Sequence, residues 1–274
     1  MITVLVLLAC GAAAGVFGSL LGLGGGVLIV PLLTLGFGLP LRESVSVSLV
    51  SVIVTSSAGA SIYLRKHVAN LRLGMVLELF SASGALVGGL VAFMLSEQAL
   101  AALFAALLVW VSISMIRRSE SAPAAVEAAS SVADGAERAP TFTDTLGGPG
   151  YRVHSLPKGM AGSVFAGLVS ALLGVGGGIV KVPTMHLLMG VPLKVATATS
   201  NMMIGITATS SAVIYLLRGQ VDPFVAGPTA IGVFAGATIG SRIAHRVNTR
   251  LLRFLFVAVL LYTAFEMAQR ALGA

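Results

Sequence analysis

Charged residues are scarce in this chain. They make up 10% of its 274 residues, whereas hydrophobic residues make up 57% and soluble domains carry roughly 25% charged residues. No Asp, Glu, Lys or Arg occurs from Met1 to Leu41, and further charge-free stretches lie at 44–64, 98–116, 159–180, 195–217 and 223–241. Most of these match the roughly 20 apolar residues that cross the hydrocarbon core of a bilayer. The scarcity of charge excludes a soluble globular protein and predicts a polytopic integral membrane protein.

Cysteine and catalytic motifs are also lacking. Cys10 is the only cysteine, which excludes an intrachain disulfide and a cysteine-based metal cluster. The chain contains neither His-Glu-x-x-His nor Gly-x-Ser-x-Gly, and its four histidines are scattered singly, at His67, His154, His186 and His245. We therefore predict no enzyme, no metal site and no cofactor. The net charge of +7 is attributed to the loops of a membrane protein, not to nucleic-acid binding.

The chain contains an internal repeat. A shift of 152 residues aligns 15–64 with 167–216 without a gap, and 19 of these 50 positions are identical. Each half has four hydrophobic segments, at about 2–38, 42–64, 73–95 and 98–116 in the first half and at about 159–190, 194–217, 223–241 and 249–269 in the second. The pattern predicts an all-α integral membrane protein with a first membrane repeat at 1–116 and a second at 159–274.

The distribution of basic residues predicts that the two repeats have inverted topology. In the first half, Lys and Arg follow the second segment, at Arg65, Lys66 and Arg72. In the second half they follow the third segment instead, at Arg242, Arg246, Arg250 and Arg253. Because Lys and Arg in short loops favour the cytoplasmic side, equivalent loops face opposite sides of the membrane. The Ala-, Ser- and Glu-rich stretch 117–158 between the repeats is predicted to be a flexible, solvated, cytoplasmic linker.

A glycine cluster interrupts the first hydrophobic segment of each repeat. Gly22-Leu23-Gly24-Gly25-Gly26 precedes Pro31, and Gly174-Val175-Gly176-Gly177-Gly178 precedes Pro183. A helix that breaks at membrane depth leaves unpaired backbone groups, which survive only in a protein interior or beside a water-filled cavity. We interpret 159–190 as a re-entrant hairpin and 2–38 as its counterpart from the other side, although 2–21 alone is long enough to span the membrane. The helix N-termini of the two segments would then converge on an anion near the midplane. The alternative is that the glycines only allow helices to cross closely.

Candidate substrate-binding residues come from the glycine clusters, from the Ser/Thr-rich segment after each cluster and from Lys181. Hydroxyl and amide groups can hydrogen-bond an oxyanion, although they also bond back to their own helix. Lys181 is the only Asp, Glu, Lys or Arg between Lys158 and Lys194, and a cation in an apolar segment indicates function unless it reaches back to the interface. The candidates are Gly24, Gly25, Gly26, Ser48, Gly176, Gly177, Gly178, Lys181, Thr199, Ser200 and Asn201. Glu78 and His186 are candidates for carrying a coupling proton or, alternatively, for interfacial or packing roles.

The doubled Gly-x-Gly-Gly-Gly…Val-Pro pattern, with Ala196-Thr197-Ala198-Thr199-Ser200 after its second copy, resembles the sulfite exporter TauE/SafE family. The resemblance covers nearly the whole chain apart from the linker, and Ser46-Val47-Ser48 in the first half departs from the Thr199-Ser200 pair. It implies a secondary transporter in the cell membrane that exports a small sulfur-containing anion, such as sulfite, sulfoacetate or a related organosulfonate, by alternating access.

Two other functions stay open from the sequence. A passive anion channel would use the same glycine-lined site without coupling, and a membrane-bound assembly factor or sensor would move no solute. The expected partners are a small anionic substrate and the lipid bilayer, with formation of a homo-oligomer left open.

Overall fold

Ten helices make up most of the described part of the chain. The computed structural model describes residues 2–21, 26–65, 68–117, 146–148, 151–243 and 249–272. The first half contains α1 (Ile2–Leu21), α2 (Gly26–Pro31), α3 (Leu41–Arg65), α4 (Leu71–Met94) and α5 (Glu97–Arg117). The second half contains α6 (Leu156–Leu173), α7 (Gly178–Pro183), α8 (Leu193–Leu217), α9 (Pro223–Ile243) and α10 (Thr249–Leu272). After α2 and α7 the chain continues into one π-helical turn each, at Leu32–Gly36 and Thr184–Leu188. The predicted all-α fold is confirmed.

Six of the described helices are long and apolar enough to cross a membrane: α3, α4, α5, α6, α8 and α9. Many polar side chains within them bond back to helical carbonyl groups. The hydroxyl of Ser51 donates to Val47 at 3.0 Å, for example. Large apolar side chains such as Leu79, Met94 and Phe224 lie exposed on the outer surface, where a bilayer would surround them. The chain is therefore a multi-pass membrane protein.

The first helix of each half packs against the fourth helix of the other half, α1 against α9 and α6 against α4. Glycines let these backbones approach closely. A Cβ atom added to Gly11 of α1 would lie 2.6 Å from the carbonyl oxygen of Thr229, and one added to Gly88 of α4 would lie 2.7 Å from that of Leu168. Small residues commonly line such crossings in membrane proteins. The two halves are interlocked, and neither forms a separate bundle.

The equivalent helices α3 and α8 pack against each other in opposite directions. Gly59, late in α3, lies beside Asn201, early in α8. Ser56, about one turn before Gly59, lies beside Gly205, about one turn after Asn201. Two copies of one segment that run antiparallel are what inverted repeats require. How the two halves are oriented in a bilayer stays a prediction.

The second broken segment folds back on itself. The amide N–H of His154, just before α6, donates to the carbonyl oxygen of Met189, just after the π-helical turn, at 3.0 Å. Deeper in the hairpin, a Cβ atom on Gly162 would lie 2.6 Å from the side chain of Thr184. The two ends of the segment therefore lie at the same end of the hairpin, which is the arrangement that a re-entrant segment has.

The described end of the linker is folded, contrary to the prediction of a flexible, solvated segment throughout 117–158. Leu146, Val153 and Leu156 are buried among apolar side chains of α4, α8 and the hairpin. Asn70, the N-cap of α4, donates from Nδ2 to the carbonyl oxygen of Leu146 at 2.8 Å and to the hydroxyl of Tyr151 at 2.7 Å. A few apolar residues suffice to cover the base of the hairpin, and the polar composition of the whole stretch obscured them. Residues 118–145 and 149–150 of the linker lie outside the described residues.

Candidate functional site

The two glycine breaks meet at Ser48, a buried residue of α3. Its hydroxyl donates to the carbonyl oxygen of Gly174 at 2.7 Å and lies 3.1 Å from the carbonyl oxygen of Gly26. One side chain thus links the broken segment of the first repeat to that of the second. The predicted candidates Gly24 and Gly25 lie outside the described residues. Gly174 was missed as a site residue, although its identity with Gly22 across the repeat was a signal.

The second break requires glycine for its backbone conformation. The φ angles of Gly174, Gly176 and Gly177 are 69°, 81° and 72°, in the left-handed region that residues with a Cβ atom seldom adopt. Gly174 ends α6 by donating its N–H to the carbonyl oxygen of Ser170 at 2.8 Å. Gly177 begins α7 by accepting the N–H of Lys181 at 3.0 Å. Close helix crossing alone would not require three left-handed residues. The glycines therefore form a loop that separates the end of α6 from the start of α7.

Two buried serine hydroxyls beside this loop have no hydrogen-bond partner among the described residues. A Cβ atom on Gly178 would lie 3.5 Å from Oγ of Ser200, and one on Gly177 would lie 3.3 Å from Cβ of Ser170. An unpaired buried polar group costs about 1–3 kcal/mol. Two such groups beside one loop indicate a place where ligand atoms or water would complete their bonds. Two more unpaired hydroxyls lie elsewhere, at Ser44 and Thr229.

Lys181 is fully buried and pairs with Glu78 of α4. Its Nζ lies 3.1 Å from Oε2 of Glu78, and the two side chains are 0% and 5% exposed. Lys181 also donates to the hydroxyl of Thr207, which in turn donates to Oε1 of Glu78 at 2.7 Å. The hydroxyl of Ser81 lies 3.1 Å from that of Thr207. We call these four residues the Lys181 network. From the sequence, Lys181 and Glu78 were each candidates, but their contact was not predicted. Thr207 and Ser81 were missed, although the identity of Thr207 with Thr55 across the repeat was a signal.

The ion pair belongs to one repeat only. The positions equivalent to Lys181 and Glu78 in the other repeat are Ile29 and Ala230, and both are buried. Apolar residues therefore fill these positions in one half of the same architecture, and the fold does not depend on ions there. Because buried charges are costly, a pair retained in one half alone indicates a function specific to that half.

The structure places three other candidates in hydrogen bonds away from the break. Thr199 accepts the backbone N–H of Asn70 on its hydroxyl at 2.9 Å, at the start of α4. Asn201 donates from Nδ2 to a carbonyl oxygen of its own helix at 3.1 Å. In His186, Nδ1 lies 2.9 Å from the carbonyl oxygen of Val191, in the turn that follows the hairpin. None of the three is brought to the glycine loop by these contacts.

Residues 7–267 match the family described as sulfite exporter TauE/SafE. The chain belongs to this family. The match extends from α1 into α10 and includes both glycine breaks and the Lys181 network. TauE/SafE is a family of membrane transporters.

Full-length bacterial relatives of this TauE/SafE chain carry transporter names. The probable membrane transporter protein YunE of Bacillus subtilis is 27% identical over 269 residues, which are 96% of both chains. A probable membrane transporter protein of Xylella fastidiosa is 23% identical over 272 residues, again 96% of both. Sulfite exporter TauE/SafE family protein 6 of Arabidopsis thaliana is 33% identical over 101 residues, 37% of this chain and 23% of the plant protein. No solved structure matches the chain.

Proposed function

We propose that this membrane transporter is a secondary transporter that exports a small sulfur-containing anion, such as sulfite or an organosulfonate, by alternating access. The family description supplies the class of substrate. The observation that carries the proposal is the pair of unpaired buried hydroxyls, of Ser170 and Ser200, beside the left-handed glycine loop.

The groups around the loop suit an oxyanion. Hydroxyl groups donate hydrogen bonds to anionic oxygens without carrying a charge that must itself be desolvated. In the described conformation Val52, Ala166 and Ile204 fill the space where Cβ atoms of Gly176–Gly178 would lie, so a ligand reaches this backbone only when these residues move away from it. Gly26 and Ser48 bring the first repeat to the same place. Lys181 lies three residues beyond Gly178 and supplies the positive charge.

The interlocked halves suit alternating access. In the described conformation the Ser48 hydroxyl joins Gly26 of the first half to Gly174 of the second. A rocking motion of one half against the other, as in other transporters with inverted repeats, would separate these two glycines and open a path towards one side. The predicted excess of Lys and Arg on the cytoplasmic side would concentrate anions at the inner mouth, which favours export.

Uptake of radiolabelled sulfite into proteoliposomes tests the site. We expect Ser170→Ala and Ser200→Ala each to raise the KM for sulfite by about tenfold, or ~1.4 kcal/mol of binding. Neither variant should be less stable than wild type, because each removes an unpaired hydroxyl. The matched control is Ser112→Ala, since Ser112 of α5 is equally buried but its hydroxyl already donates to Leu108 at 2.8 Å. This control should leave uptake unchanged.

Three results would count against the proposal. Unchanged sulfite uptake in both site variants would show that the loop is not the binding site. No uptake of sulfite, sulfoacetate or thiosulfate by wild type would contradict transport of this class of anion. Sulfite loaded inside the vesicles accelerates entry through an alternating-access transporter, so conductive entry without this acceleration would indicate a channel instead.

A further inference from the structure

We propose that Glu78 is an internal stand-in for the transported anion. When no substrate is bound, the Glu78 carboxylate pairs with the Lys181 ammonium. When the anion takes its place beside Lys181, Glu78 takes up one proton. The proposal rests on the transporter function given above and adds the coupling ion, a proton, and the group that carries it. In the exchange, Glu78 gains one proton and Lys181 stays charged, so one proton travels with each anion in either direction, and export is driven by an outward gradient of the anion itself.

The charge balance of the Lys181 network carries this inference. Lys181 and Glu78 lie 3.1 Å apart with side chains 0% and 5% exposed, so the positive charge is already neutralised inside the protein. An anion that bound there in addition would leave a net negative charge in a site without solvent. Burying an uncompensated charge is far more costly than burying a neutral acid. Protonation of Glu78 removes the excess negative charge and frees the ammonium for the substrate.

Lys181 is the charged group that faces Glu78 from the elements packed around it. Beyond their first turns, α6 and α8 carry no Asp, Glu, Lys, Arg or His. Tyr215, the titratable residue of α8 beyond its first turn, donates its hydroxyl to a carbonyl oxygen of α6 at 3.0 Å. His186, in the π-helical turn after α7, is bonded to a backbone carbonyl beyond the hairpin. Glu78 is therefore the group in this network that can take the proton.

A row of side chains on α8 connects the glycine loop to the ion pair. Ser200, Ile204 and Thr207 follow one another at helical spacing of four and three residues, which places them on one face. Ser200 and Ile204 lie beside Gly178, and Thr207 bonds to both members of the ion pair. The glycine loop and the ion pair therefore lie along the same face of α8, about two helical turns apart.

Thr207 can serve both states of Glu78. Its hydroxyl donates to Oε1 of Glu78 at 2.7 Å and also lies 3.0 Å from the carbonyl oxygen of Met203. When Glu78 is protonated, the Thr207 hydroxyl can donate to the carbonyl oxygen of Met203 and accept a hydrogen bond from the carboxyl O–H of Glu78. The equivalent positions of the other repeat are Ile29 and Ala230, which carry no charge. Glu78 and the substrate therefore exchange places at Lys181 only once in each transport cycle.

The test follows sulfite and proton entry into the same proteoliposomes, with an entrapped pH-sensitive dye. We compare wild type, Glu78→Gln and the control His186→Gln, at equal pH and with the outside made more acidic. In wild type and in His186→Gln, steady-state sulfite accumulation should rise about tenfold more per unit of pH gradient than in Glu78→Gln. Glu78→Gln should still exchange internal for external sulfite but should carry one proton fewer per anion. Because sulfite's own protonation is common to all three proteins, it cancels in the comparison.

The outcomes separate this inference from the proposed function. No sulfite flux in wild type would contradict the transporter proposal and the coupling together. Sulfite flux with the same proton entry in wild type and in Glu78→Gln would overturn the coupling alone, as would loss of coupling in His186→Gln. If Glu78→Gln does not fold, the double variant Glu78→Ala/Lys181→Ile, which reproduces the apolar pair of the other repeat, replaces it. It should fold and lose pH-driven sulfite uptake, and retention of that uptake would overturn the inference.

Discussion

Removal of one member of the Lys181–Glu78 pair should destabilise the protein more than removal of both. Loss of one partner leaves the other charge buried without a counter-ion, which costs about 3–5 kcal/mol, whereas replacing both with apolar residues is often neutral. The side chains are 0% and 5% exposed and 3.1 Å apart, so water cannot substitute for the missing partner. We expect a loss of about 3–5 kcal/mol for Lys181→Ile and for Glu78→Ala, and less than about 2 kcal/mol for the double variant, including the cavity left by Glu78.

The assay is reversible unfolding in mixed micelles with increasing denaturing detergent, arranged as a double-mutant cycle. Lys194→Met is the control, because Lys194 is an exposed lysine in the first turn of α8, and it should change the unfolding free energy by less than about 0.5 kcal/mol. Single variants that cost under about 1 kcal/mol would show that the charges are solvated. A double variant that costs the sum of the two singles would show that Lys181 and Glu78 do not act as a pair. Either result would refute the reasoning.

Two further predictions concern helix packing and the folded end of the linker. Gly88→Val should destabilise the protein by at least about 1–3 kcal/mol of overpacking, because its Cβ would meet α6 at 2.7 Å. Gly59→Ala is the matched change without overpacking, because its Cβ would make an ordinary contact with Asn201 at 3.6 Å, and it should stabilise α3 by about 0.5–1 kcal/mol. Detergent unfolding measures both. Burial raises the pKa of the Tyr151 hydroxyl above 10.0, against a lowering by the hydrogen bond from Asn70. Its stabilising contribution is therefore full below pH 10 and lost as pH rises through the folded pKa, and Tyr151→Phe should remove this alkaline step from a pH series of unfolding curves.

The glycine clusters made the break positions predictable, because few residues other than glycine permit such backbone. The helix bounds were also close to the predicted segments, since apolar runs of bilayer length leave little choice. The folded part at 146–156 was not predictable from composition, because it contributes only isolated apolar residues to a core made by other elements.

The Lys181 network shows where sequence reasoning stops. Lys181 and Glu78 were each conspicuous as charges in apolar segments, yet they lie 103 residues apart in the chain. Their contact follows from the packing of α4 against α6 and α8 across the repeats, and no local pattern encodes it. Ser170 was missed for a related reason. A serine in an apolar helix normally bonds to its own backbone, and only the three-dimensional structure shows that this one does not.

The interlocking of α1 with α9 and of α6 with α4 has a consequence for biogenesis. When the first half leaves the ribosome, the glycine-lined face of α1 has no partner, because α9 is made more than 200 residues later. α4 likewise waits for α6, on the far side of the linker. The first half must therefore stay in the membrane in an incomplete state until the second half inserts and closes around it.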